Sequence, residues 1–250
     1  MKKSINRIFT LTSRNLKEII RDPLSLLFMI GLPIFMEILF YFIFHKLTSQ
    51  FEMKYLAPGI VVFSQAFLSL FMGMLISLDR NTSFLTRLFV SEAKPYEFIF
   101  SYTLALIPIC LVQSVLFFVI GGIIDSSIFR INMILAILLS LVTSFLFIGI
   151  GILLGSLCNE KSIGGVSSLV IVCQSVLSGM WFPLEGMSED FLSVMKVLPF
   201  KNMTMIVQNS LNGYLNLFDD LLLPIIIVIS YTIVIFILSI FIFKKKMKSN

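Results

Sequence analysis

Six long apolar runs punctuate the chain, at residues 24–44, 57–78, 98–123, 131–157, 163–182 and 222–243. Each is near or above the ~20 residues a helix needs to cross a ~30 Å hydrocarbon layer. A segment in lipid must satisfy its own backbone hydrogen bonds, so runs of this length read as helices. The pattern predicts an all-α membrane protein with six transmembrane helices. The first run is too long for a cleaved signal peptide, lacks a small-residue cleavage site and follows a basic stretch.

A different periodicity precedes the first run. Over residues 4–21, Ile8, Phe9, Leu16, Ile19 and Ile20 fall within about 60° of Ile5 on a helical wheel. Lys3, Arg7, Arg14, Lys17 and Arg21 gather on the other face; only Leu11 breaks the division. This predicts an amphipathic interface helix along the inner leaflet, its cations toward anionic head groups. Asp22-Pro23 suits the start of the next helix, with Asp as N-cap and Pro at the first helical position.

Two connections carry patterns of their own. In residues 79–97, three bases (Arg80, Arg87, Lys94) balance three acids (Asp79, Glu92, Glu97). Phe84, Leu85, Leu88 and Phe89 form an apolar stripe, and Thr82 or Ser83 can cap it, predicting a short helix over 82–92. Without a basic surplus, that stripe points to a groove in a partner protein rather than to the membrane surface. The connection over 183–221 follows Trp181-Phe182-Pro183, and Trp181 is the only Trp. A Trp there is expected to anchor at the membrane–water interface. Phe191, Leu192, Met195 and Leu198 recur at helical spacing, predicting short helices that lie at the outer leaflet or re-enter it.

Composition narrows the function. Of 250 residues, 58% are hydrophobic and 13% charged, with a net charge of +5. A soluble domain of this size could not hide so much apolar surface, and a free nucleic-acid binder is excluded. Fourteen of the 19 Lys and Arg fall before the first run, in the second and fourth connections, or in the tail. The other connections hold five, and 183–221 holds five acids. The asymmetry predicts both termini in the cytoplasm and 183–221 outside. Cys110, Cys158 and Cys173 form no disulfide or metal spacing. No glycine precedes a Lys, so there is no phosphate-binding loop, and the single His45 has no catalytic company. No catalytic or metal-binding residue is expected in this chain. Glu37 is the one acid inside a run; its cost there predicts a place on a substrate path, at a subunit interface, or packed and protonated between helices. Gln65, Gln113 and Gln174 are its candidate partners in other runs. Gly151 and Gly155 make a small-residue step suited to close helix packing.

The order of these elements resembles the membrane subunits of ABC type-2 exporters. The matching stretches are Arg14-Asn15-Leu16-Lys17-Glu18 through Arg21-Asp22-Pro23, Leu56-Ala57-Pro58-Gly59, Asp79-Arg80 to Ser91, and Leu177-Ser178-Gly179 with Phe182-Pro183 and Leu198-Pro199. The resemblance covers nearly the whole chain, with Ser83 standing where the family often has Gly. It implies a permease in the bacterial cytoplasmic membrane that pairs with a second permease subunit, identical or not, and with a separate ATPase holding ATP and Mg. It implies that 82–92 is a coupling helix, with Thr82, Phe84, Leu85, Arg87, Leu88, Phe89 and Glu92 at the ATPase. It also implies that Trp181, Phe182 and Pro183 begin an external gate. No cofactor is expected on this chain itself.

Three other readings compete with export of a drug-like, peptide or lipid-like cargo. A secondary transporter or channel could use Glu37 as an ion relay, but would need more intramembrane ionisable groups. A membrane enzyme would need a cluster of reactive side chains at one depth. A membrane scaffold would only assemble with other proteins.

Overall fold

Proline and apolar character together set where each helix begins and bends. The computed structural model describes residues 2–82, 94–182 and 187–249. Helix α1 (Lys2–Ile20) is followed by α2 (Pro23–Phe44), α3 (Met53–Asn81), α4 (Pro95–Ile124), α5 (Asn132–Leu157) and α6 (Glu160–Leu177). Two shorter helices, α7 (Glu189–Val197) and α8 (Pro199–Asn212), precede the last, α9 (Leu223–Ser249), which a π turn at Phe218–Leu222 introduces.

Five described helices are long and apolar enough to cross a membrane: α2 to α5, and α9 with its π turn. The fifth apolar run forms α6, 18 residues broken up by Glu160, Lys161, four serines and Gln174. It ends at Leu177, and residues 178–182 leave the helix, with Gly179 in the left-handed region at φ +72°.

Helix α3 is the core. Its most apolar window is 78% buried, against 17% for α2 and 11% for α9. It packs against α4, α5, α6 and α8, while α2 and α9 hold the edges and keep long apolar faces outward. The closest crossing is between α3 and α5. A Cβ on Gly151 would lie 2.8 Å from the Ser69 carbonyl, and one on Gly155 2.8 Å from the Gly73 carbonyl. The small-residue step therefore lets two backbones touch.

Of the four prolines inside these helices, Pro33, Pro58, Pro108 and Pro224, three leave gaps that side chains from other helices fill. A proline removes the N–H that would bond the carbonyl four residues earlier. For Pro33 that carbonyl is Met29, and Gln113 Nε2 on α4 donates to it at 2.9 Å. For Pro58 it is Lys54, reached by Asn212 Nδ2 at 2.8 Å. For Pro224 it is Asp220, reached by Asn209 Nδ2 at 2.8 Å. Gln208 adds a 3.0 Å bond to the Tyr55 carbonyl. Helix α8 is thereby tied to the starts of both α3 and α9, and its Met203, Ile206 and Val207 are fully buried among the longer helices. A helix in a membrane tolerates such breaks only when protein repairs them.

Candidate coupling site

The residues flanking 83–93 converge at one end of the bundle. Asp79 and Arg80 close α3, and Glu97 opens α4. Arg14 on α1 grips Asp79 with both guanidinium arms, Nη1 to Oδ2 at 2.7 Å and Nη2 to Oδ1 at 2.5 Å. Tyr102 on α4 donates its hydroxyl to the same carboxylate at 2.6 Å. Asp79 is only 2% exposed, so three charge-assisted bonds offset its desolvation. Burial pulls the Arg14 guanidinium down, but the hydrogen bond and charge of Asp79 outweigh it and leave it above its usual range. Glu18, 2.6 Å from Arg14, is raised by burial against that pairing.

A second contact fixes the start of α4. Arg7 lies 3.5 Å from Glu97, and Ser4 donates to the same carboxylate. Glu97 also accepts from the Lys94 backbone N–H at 3.3 Å, closing a capping box at the helix start. Between these contacts, buried Asn15 reaches Ser101 at 3.5 Å and Thr12 bonds the Ser101 carbonyl at 3.3 Å.

Helix α1 thus has three faces. Ile5, Phe9 and Ile20 are exposed, while Leu11, Leu16 and Ile19 pack on the core. Leu11, which breaks the two-faced division, belongs to this protein-facing side. Arg7 and Arg14 turn to carboxylates of α3 and α4 rather than to head groups, because a buried Asp79 attracts a guanidinium more strongly than a screened surface does.

Arg80 completes the arrangement from the other flank. Its Nη1 lies 3.0 Å from each of the Gly155, Ser156 and Cys158 carbonyls. These are orphan acceptors at the C-terminus of α5, where a cation is favoured. Adjacent residues at the end of α3 therefore bind it to α1 and α4 through Asp79 and to α5 through Arg80. Sequence reasoning assigned neither residue a role, although an Asp-Arg pair closing an apolar run is a visible signal.

Of the coupling candidates, Thr82 ends α3 and donates to the Leu78 carbonyl at 3.1 Å. Phe84, Leu85, Arg87, Leu88, Phe89 and Glu92 lie outside the described residues, as does Pro183. The opposite end of the bundle holds Trp181, which packs edge-on against Phe40 at 4.7 Å and Phe63 at 5.6 Å, with Phe51 beside it. It joins an aromatic cluster between α2 and α3. Phe182 is half-exposed, and its carbonyl accepts from Gln50 at 2.7 Å.

The intramembrane polar candidates are not brought together. Gln65 bonds the Ser140 carbonyl at 2.8 Å and accepts from Thr143 at 2.7 Å. Gln113 serves Met29, and Gln174 donates to Thr204 at 3.3 Å. Glu37 is fully buried beside Gly121 and Ala57, and neither of its oxygens has a hydrogen-bond partner among the described residues. Among those residues no His, Cys, Asp and Glu group could hold a metal.

Residues 6–212 match the family described as ABC-2 type transporter, from the second turn of α1 to the end of α8. The chain belongs to the ABC-2 type transporter family. It is a multi-pass membrane permease, and permeases of this family generally pair with an ATPase subunit that hydrolyses the ATP. The matched region contains every residue of the Arg14–Asp79–Arg80 arrangement. No curated protein matches the sequence.

Proposed function

We propose that this permease is the membrane half of an ATP-driven exporter whose separate ATPase, carrying ATP and Mg, docks on residues 82–92. Both termini would face the cytoplasm of a bacterial cell, and a second permease subunit, identical or different, would complete the pathway. The cargo would be hydrophobic or amphipathic: a drug, peptide or lipid-like molecule. The observation that carries the reading is the double anchorage of α3 at Asp79 and Arg80. A segment gripped by an ATPase transmits its motion only if its flanks are stiff. Here the flanks are fixed to α1, α4 and α5 immediately before and after it.

The coupling is a matter of linkage. ATP favours one state of the ATPase, and cargo must favour different states of the permease unequally, or no work is transmitted. Phe84, Leu85, Leu88 and Phe89 would supply the apolar contact, Arg87 and Glu92 its register, and Thr82 the start of the docking helix. At the far end, Trp181, Phe182 and Pro183 would open and close the exit. The test is co-purification with the ATPase followed by ATP turnover. Leu88→Asp is expected to abolish both association and stimulated turnover. Unchanged association would remove 82–92 from the docking site.

One observation favours a second reading. A buried carboxyl with no hydrogen-bond partner among the described residues, Glu37, is what an ion relay requires. In that case Glu37→Gln would abolish transport while leaving ATPase association intact.

A further inference from the structure

At the end of the bundle away from Asp79, a cavity of about 200 Å³ opens between four parts of the chain. The turn at Ser49–Phe51 gives Ser49 and Gln50, the start of α3 gives Tyr55, the turn after α6 gives Ser178, and α8 gives Lys201 and Gln208. Among the described residues Lys201 is the one cation lining the cavity, and no carboxylate does. Burial, with Lys196 adding repulsion, pushes the Lys201 ammonium below its ordinary range. A half-buried cation repelled by Lys196, in a cavity lined by the hydroxyl-bearing Ser49 and Tyr55, meets no opposite charge among the described lining residues.

We propose that this cavity binds a phosphoryl oxyanion, held by the Lys201 ammonium and the hydroxyls of Ser49 and Tyr55. Several oxygen acceptors on one small anion match three ammonium N–H groups and two O–H groups, where a neutral ligand would leave the charge unmet. The phosphoryl group could belong to the head group of a membrane lipid or to free phosphate. The bound anion would join the Ser49–Phe51 turn to α8, across the turn whose Gly179 and Phe182 carbonyls Gln50 already holds at 3.4 and 2.7 Å. The site is independent of cargo and of the ATPase, so its failure would leave the export reading standing.

Trp181 follows Met180, which lines the cavity, and gives a built-in fluorescent reporter. The full chain in neutral detergent is titrated with inorganic phosphate, with dihexanoyl-phosphatidylglycerol, and with phosphate-free dihexanoylglycerol as control. Unfolding temperature serves as a second readout. Saturable changes are expected with a phosphate-bearing probe and not with the control. Lys201→Gln should weaken the apparent Kd about tenfold, the effect of losing one charge-assisted bond. Lys201→Arg should keep binding and show that the fold tolerates change there, and Lys196→Gln should also keep it. A response to the lipid alone assigns a head group; an equal response to inorganic phosphate assigns a free anion. Silence in both readouts with both probes, or undiminished binding by Lys201→Gln, would overturn the proposal.

Discussion

Replacing Asp79 by Asn keeps the side chain's shape and removes its charge. Arg14 then loses a two-armed partner at 2.7 and 2.5 Å, and the Tyr102 hydroxyl loses a charged acceptor at 2.6 Å. Breaking a fully buried ion pair costs about 3–5 kcal/mol. Two features reduce the figure here: the Arg14 side chain is 28% exposed and keeps Glu18 at 2.6 Å. A cost of about 2–3 kcal/mol is therefore expected for Asp79→Asn, with a similar loss for Arg14→Gln. The double variant should cost much less than the sum, with a coupling of about 2 kcal/mol. Denaturant titration in mixed micelles, followed by far-UV circular dichroism, measures all four corners of the cycle. If the single effects add to within about 0.5 kcal/mol, the two groups do not interact and the anchorage of α1 on α3 is wrong.

Other positions give independent checks. Gly155→Val would push a side chain into the Gly73 carbonyl, 2.8 Å from its Cβ; a loss of about 2–3 kcal/mol is expected by the same titration. Gln113→Leu strips the donor from the Met29 carbonyl and should cost about 1–2 kcal/mol by the same titration, whereas Gln113→Glu, neutral at this depth, keeps an O–H donor and should cost less. Asp22 caps the start of α2, and bonds from the Ser25 hydroxyl and N–H hold its carboxyl below the usual range. Its folded value being depressed, the stability it gives is complete above the unfolded value near ~4 and is lost as pH falls through the folded one. Asp22→Ala should thus lower the unfolding temperature at pH 7, by an amount equivalent to about 1 kcal/mol, and the difference should fade in strong acid.

What the sequence revealed depended on whether a signal was local. Apolar runs marked α2 to α5 and α9 because lipid burial acts residue by residue along a helix. The N-cap at Asp22 was readable because cap and helix start are neighbours in the chain. The third face of α1 was not, since Leu11 and Arg14 acquire their meaning only when α3 and α4 arrive beside them. Gln113 read as a partner for Glu37 for the same reason: an amide and a carboxyl in separate apolar runs invite pairing, yet the stronger claim came from the carbonyl freed by Pro33. A proline and an amide elsewhere can be noted from sequence, but which amide serves which proline is set by packing. Trp181 carried the composition of an interfacial anchor, and only the approach of Phe40 and Phe63 places it in a cluster.

The most direct test is reconstitution of this permease with its ATPase in liposomes, scored by cargo movement and ATP turnover together. The account predicts transport that requires both proteins and hydrolysable ATP and disappears with Leu88→Asp. Transport by the permease alone, driven by an ion gradient and lost with Glu37→Gln, would contradict it.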